Sequence, residues 1–103
     1  MLTVTGTFKI GVEVEGKFHK DFELRETTIR DGINYLKKAK KNGEDTEDDL
    51  VIAVYKGAEQ MTKLGSLTPD QITADLLMQL NEEDFIPLID AQDELIKKRT
   101  SLK

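Results

Sequence analysis

The chain has 103 residues and a formal net charge of -5, with 38% hydrophobic and 34% charged residues, which is the composition of one folded domain on the polar side of average. It contains no cysteine and one histidine, His19, so disulfide frameworks, thiolate nucleophiles and multi-histidine metal cages within one chain are excluded. No window approaches the roughly 18 consecutive apolar residues of a membrane span, and the N-terminus lacks the layout of a signal peptide. We therefore expect a cytoplasmic protein that does not bind membranes.

Two segments of alternating apolar and polar residues predict an antiparallel β-hairpin over residues 2–25. The first segment is apolar at every second position, at Phe8, Ile10, Val12 and Val14. After a turn at Gly16 the alternation resumes at Phe18, Phe22 and Leu24. Such a period of two is typical of a strand with one buried face. It places His19 on the opposite, solvent-facing side of the second strand.

The rest of the chain predicts helices over residues 27–99, with residues 100–103 as a frayed tail. The first helix begins at Thr27 or Thr28 and ends at Asn42-Gly43, because these residue types favour helix caps. Its apolar face comprises Ile29, Ile33, Leu36 and Ala39. The acidic residues 44–49 are the loop and the first turn of a second helix, which ends at Gly65. Its predicted buried face comprises Leu50, Val54, Ala58, Met61 and Leu64.

The third and fourth helices have clear start signals. Thr68, Pro69 and Gln71 form a capping-box pattern at the start of a helix that contains Ile72 and Leu80. The fourth helix begins at Asn81 and contains Pro87, which lacks an amide hydrogen and should kink the helix or postpone its regular part. The predicted fold class is α+β: an N-terminal antiparallel β-hairpin followed by a bundle of about four short α-helices, in one domain over residues 1–99.

No pattern in the chain predicts an active site, a cofactor site or a metal site. The carboxylates at residues 82–84, 90, 93 and 94 are interpreted as solvated helix faces and helix N-terminal charges. The acidic run at residues 45–49 begins like a calcium loop, but Leu50 and Lys56 stand where that loop needs Gly and Glu. The lysines at 37–41 have no interleaved aromatic residues, and the acidic C-terminal part would repel a polyanion, so nucleic-acid binding is not expected.

Apolar surface is the remaining candidate for function. A lone hairpin is marginally stable in water, and a domain of this size rarely encloses two strands and four helices completely. The hairpin and the last helix are therefore candidate docking faces for another protein. The predicted partner-binding residues are Phe18, Phe22, Phe85, Ile89, Leu95 and Ile96. The exposed hairpin edge also makes self-association possible.

Several short motifs resemble the small tail assembly chaperones of Mu-like phages and prophages. The hairpin ends in Phe22-Glu23-Leu24-Arg25-Glu26, and the first helix is entered through Ile29-Arg30-Asp31-Gly32. The C-terminal part contains Leu67-Thr68-Pro69-Asp70-Gln71-Ile72, Leu76-Leu77, Glu83-Asp84-Phe85 and Asp90-Ala91. The resemblance covers most of the chain. It departs from the family at Thr27 and Thr28, where a proline is expected soon after the Leu-Arg-Glu stretch.

The resemblance implies a protein without enzymatic activity or cofactor that acts in the cytoplasm of the bacterial host. Such chaperones bind the long tape measure protein and help to recruit tail tube subunits around it. An alternative interpretation is a small acidic regulatory or inhibitor protein, in which residues 44–49 and 82–84 mimic nucleic acid to a DNA-binding partner. Salt should weaken the second kind of complex steeply and an apolar client complex much less.

Overall fold

A computed structural model describes residues 1–102. The strands are β1 (Thr3–Val14), β2 (Lys17–Arg25) and β3 (Met61–Leu64), and the helices are α1 (Ile29–Lys41), α2 (Asp49–Gln60), α3 (Ala74–Leu77) and α4 (Phe85–Thr100). Single turns of 3₁₀-helix occupy Pro69–Gln71 and Glu82–Asp84. The predicted fold class, an N-terminal hairpin followed by four helices, is confirmed. Of the predicted tail, Thr100 is the last residue of α4, and Lys103 lies outside the described residues.

The three strands form one antiparallel sheet in the order β1-β2-β3. The register between β1 and β2 shifts between Thr7, which pairs with Asp21, and Val12, which pairs with His19. One residue on β2 therefore faces four on β1, and this bulge breaks the alternation of β2.

The broken alternation exchanges two predicted orientations on β2. His19, predicted to face solvent, is buried, and its Nδ1 accepts a hydrogen bond from the backbone N–H of Ser66 at 3.3 Å. Phe18, predicted to share the apolar face with Phe22, is 52% exposed. The physical reason is the pairing of His19 with the inward-facing Val12 across the bulge.

Strand β3 was not predicted and replaces the end of the second predicted helix. Helix α2 ends at Gln60, and Leu64 and Lys63 pair with Phe22 and Glu23 of β2. Met61 and Leu64 are buried as expected, but as residues of a strand. The free edge of β2 supplies backbone hydrogen bonds that local helix propensity does not outweigh.

The third predicted helix is divided into two short pieces. The capping box of Thr68 and Gln71 is present, with the Thr68 N–H donating to Gln71 Oε1 at 2.9 Å, but it opens only a 3₁₀ turn. Thr73 is extended and its Oγ1 accepts a second capping hydrogen bond from the N–H of Leu76. Because Thr side chains compete for backbone groups in this way, α3 starts only at Ala74.

Helix α4 lies across the inner face of the sheet and completes the core. The buried apolar core includes Val4, Phe8, Val12, Phe22, Leu24, Met61, Leu64, Ile72, Leu77, Leu88, Ala91 and Leu95. The rings of Phe8 and Phe22 lie 4.4 Å apart between centroids. Pro87 lies in the first turn of α4, where N–H groups have no acceptor within the helix, so its missing N–H costs no hydrogen bond. The regular helix begins at Phe85 and not directly after Asn81, because a 3₁₀ turn occupies Glu82–Asp84.

Candidate functional site

The start of α4 is fixed to the bulge of β1 by one buried carboxylate. Asp84 is fully buried and accepts the backbone N–H groups of Lys9 at 2.6 Å, Ile10 at 3.2 Å and Gly11 at 2.8 Å. These N–H groups belong to the residues that the bulge removes from the ladder with β2. The prediction that Asp84 is a solvated helix charge is wrong, because the bulge needs an acceptor and Asp84 supplies it.

An apolar groove lies beside this anchor, between α2, α3 and the start of α4. Its volume is about 420 Å³. The apolar residues that line it are Leu50, Val54, Leu77, Met78, Leu80, Phe85, Ile86 and Leu88. The remaining lining residues are Asn81, Glu82 and Glu83. We call this surface the α2–α4 groove.

Three side chains give the α2–α4 groove its apolar surface. Leu50 is 59%, Ile86 55% and Met78 40% exposed. Glu82 and Glu83 are also exposed, and the lining contains no lysine or arginine. Because exposed apolar patches with a polar rim mark interaction sites, this groove is the leading candidate for a docking site.

A second apolar surface lies on α1. Ile29, Ile33 and Leu36, predicted to be buried, are exposed, and Ile29 retains 86% of its accessible surface. Helix α1 packs on α2, with Ala39 buried and Lys38 Nζ 2.9 Å from Glu59 Oε1. The predicted apolar face is therefore buried at Ala39 but not at Ile29, Ile33 and Leu36, because α1 packs mainly on α2.

The predicted partner-binding residues occupy different environments. Phe85 lines the α2–α4 groove and is partly buried, and Ile89, one turn further along α4, is also partly buried. Phe18 and Ile96 are exposed but lie outside the groove lining.

Phe22 and Leu95 are core residues and are therefore not available to a partner in this fold. Phe22 retains 2% and Leu95 3% of their accessible surface. The ring of Phe22 lies over Gly6, its cross-strand partner, so closely that a Cβ on Gly6 would meet the ring at 2.4 Å. The prediction that these two side chains form a docking face is wrong.

The groove residues that the amino-acid pattern did not reveal are Leu50, Met78 and Ile86. Leu50 has the helical spacing of a buried residue, and Met78 lies within a predicted long helix that the structure ends at Leu77. A signal was present at Ile86, since it adjoins Phe85 directly after the acidic pair 82–83. Only the packing of α2 beside α4 brings the three side chains to one surface.

Two ion pairs outside the groove connect the end of β2 to its neighbours: Glu26, just after β2, pairs with Arg99 of α4, and Arg25 of β2 pairs with Asp31 of α1. Arg99 donates to Glu26 at 2.6 and 2.7 Å, and the N–H of Leu2 adds a third hydrogen bond at 2.9 Å. These donors, with Arg99 the largest cause, lower the pKa of Glu26 to about 2. Arg25 and the N–H of Thr28 likewise lower the pKa of Asp31 at the start of α1.

Within residues 1–102, no cluster of three or more His, Asp or Glu side chains has the arrangement of a metal site. Over the same residues, no helix has the length and apolar character needed to cross a bilayer.

The fold and the groove define the class of this protein: a small α+β protein with an apolar groove bordered by acidic side chains. Comparisons of the chain with protein-family models, with curated proteins and with solved structures found no significant match.

Proposed function

We propose that the protein is a tail assembly chaperone of the type found in Mu-like phages and prophages. In this role it is a non-enzymatic adaptor in the host cytoplasm that binds the tape measure protein and helps to recruit tail tube subunits. The proposal starts from the resemblance of the motifs over residues 22–32 and 67–91 to that family.

The observation that carries the proposal is the position of the C-terminal motifs on the α2–α4 groove. Leu77, Glu83 and Phe85 belong to the motifs and also line the groove. Asp84, between two of them, anchors the groove wall to β1. A long helical client has apolar stripes that aggregate when exposed, and a groove of this kind suits the covering of such a stripe.

The test is co-expression with the tape measure protein encoded in the same genome. We expect the client to become soluble and to elute with this protein in size-exclusion chromatography. The complex should persist in 1 M NaCl, where the Debye length falls to about 3 Å, because apolar contacts are not screened. A client that stays insoluble or elutes alone would contradict the proposal.

The acidic-mimic alternative receives less support from the surface. Asp84 is buried, and Asp48 accepts the N–H groups of Leu50 and Val51 as the cap of α2. These two carboxylates are thus engaged in the fold. The alternative would be favoured if the protein bound a DNA-binding protein and the affinity of that complex fell steeply with rising salt concentration.

A further inference from the structure

We infer that the α2–α4 groove takes a cationic amphipathic α-helix, with aliphatic residues spaced at i, i+4 and i+7 and with Lys or Arg on its flanks. The inference rests on the proposed function, because the helix would be a segment of the client. It goes further by stating the chemistry of the segment and the surface of this chain that receives it.

The apolar part of the inference follows from the shape of the groove. Three helical elements wall it, and the exposed Leu50, Met78 and Ile86 offer aliphatic and thioether surface along it. Amphipathic helices dock into grooves of this kind through residues one and two turns apart. Met78 adds adaptability, because its unbranched side chain fits differently shaped partners.

The positive charge expected of the docked helix follows from the acidic side chains at the rim of the groove. Glu82 and Glu83 are exposed and form no ion pair within residues 1–102. Asp49 precedes Leu50 and adds a third exposed carboxylate next to a lining residue. A partner with Lys or Arg beside its apolar stripe would complement this rim, whereas an acidic partner would be repelled.

The rim is also held in place before any partner binds. The carboxamide oxygen of Asn81 accepts the N–H of Glu83 at 2.9 Å, and the neighbouring Asp84 is bound to β1. The two glutamates therefore start from a fixed backbone, which reduces the ordering cost of binding.

Helix α4 itself supplies a matched control. Ile96 is 56% exposed, almost the same as Ile86 at 55%, but Ile96 is followed directly by Lys97, Lys98 and Arg99, whereas the three residues that follow Ile86 are uncharged. A cationic helix should avoid that end. Ile86→Asp and Ile96→Asp thus place the same change on the same helix at equal exposure.

The probes are two synthetic peptides of about 18 residues, long enough for helix formation in water. Both carry the same aliphatic stripe, with lysine on the flanks of one and glutamate on the flanks of the other. Fluorescence anisotropy measures their binding to the full chain. We expect the lysine peptide to bind at least about tenfold more tightly than the glutamate peptide at low salt, because complementary charge selects the partner.

The variants assign the preference to the groove. Ile86→Asp should abolish binding of the lysine peptide, Ile96→Asp should leave it unchanged, and Glu82→Lys/Glu83→Lys should reverse the preference between the peptides. The matched charge control is Asp93→Lys/Glu94→Lys on the exposed face of α4. Circular dichroism of every variant establishes that it is folded.

The inference is overturned by equal binding of the two peptides, or by loss of binding in Ile96→Asp instead of Ile86→Asp. It is also overturned if the wild-type chain self-associates through the groove, so that light scattering reports an oligomer that only Ile86→Asp dissociates. Co-expression of the variants with the client separates the two proposals. Client that still co-elutes with Ile86→Asp refutes the groove assignment alone, whereas peptide binding without client binding refutes the proposed function.

Discussion

The Asp84 carboxylate accepts the backbone N–H of Gly11 at 2.8 Å, although 73 residues separate them in the chain. The same carboxylate also binds the N–H groups of Lys9 and Ile10. This relationship joins the irregular part of the sheet to the wall of the α2–α4 groove, so the stability of the fold and the shape of the candidate docking site depend on the same side chain.

Replacing Asp84 should destabilise the protein strongly. Asp84→Ala leaves three backbone donors without their acceptor, and unpaired buried groups cost about 1–3 kcal/mol each. We expect a loss of about 3–5 kcal/mol in the free energy of unfolding, with partial access of water to Lys9 and Ile10 included. Urea denaturation followed by circular dichroism measures it.

The adjacent residue Glu83 provides the control for Asp84→Ala. Glu83→Ala removes an exposed carboxylate with no hydrogen bond from the core and should change the free energy of unfolding by no more than about 0.5 kcal/mol. Equal stability of Asp84→Ala and Glu83→Ala would refute the structural role of Asp84.

The bulge should also require glycine at position 11. Gly11 has a φ of +84°, and a Cβ there would lie 2.4 Å from the carbonyl oxygen of His19. Gly11→Ala therefore combines left-handed strain with a backbone clash, and we expect a loss of about 3 kcal/mol or more. Thermal and urea unfolding measure the effect.

Gly16 separates the two contributions. Its φ is +77°, but no atom lies within 4 Å of a Cβ at this turn. Gly16→Ala should cost only the left-handed strain, about 1–2 kcal/mol. A cost at Gly11 no larger than at Gly16 would mean that the bulge accommodates a side chain.

Aspartate at three apolar positions should distinguish core from surface. Leu95→Asp places an unpaired charge in the core and should unfold the domain, because domains of this size have only about 5–15 kcal/mol of stability. Ile96→Asp and Ile33→Asp alter exposed side chains and should leave the fold intact. Far-ultraviolet circular dichroism reports the outcome, and a folded Leu95→Asp variant would contradict the burial of that residue.

The ion pair of Glu26 and Arg99 should contribute to acid sensitivity. The pKa of Glu26 falls from 4.5 to about 2 on folding, so the folded state binds fewer protons than the unfolded state in this range. Its stabilising contribution is present above pH 4.5 and is lost as the pH falls towards 2. Because the pair is solvent-accessible, salt should reduce the contribution.

Glu26→Gln measures this contribution. The midpoint of thermal unfolding should be lower than in the wild type at pH 7, and the difference should disappear near pH 2. The difference should also shrink in 1 M NaCl, where charges are strongly screened. A difference that stays constant between pH 7 and pH 2 would assign the effect to packing instead of charge.

The sequence alone determined the N-terminal hairpin, the helical character of most of the remaining chain and many of the element ends, but not strand β3. The alternation of Val12 and Val14, the turn at Gly16 and the Thr28 cap each depend on residues a few positions apart, so local geometry suffices to predict them. The hypothesis of a docking surface that includes Phe85 came from the same local patterns.

The tertiary structure decided where each face points. The edge of β2 converted residues 61–64 into a strand, the bulge turned His19 inwards and Phe18 outwards, and the packing of α1 on α2 left Ile29 exposed. The role of Asp84 depends on donors more than 70 residues away in the chain. The spacing of apolar residues within one segment cannot predict a contact at that separation. Local patterns specify how a segment folds, but burial depends on which other segment covers it.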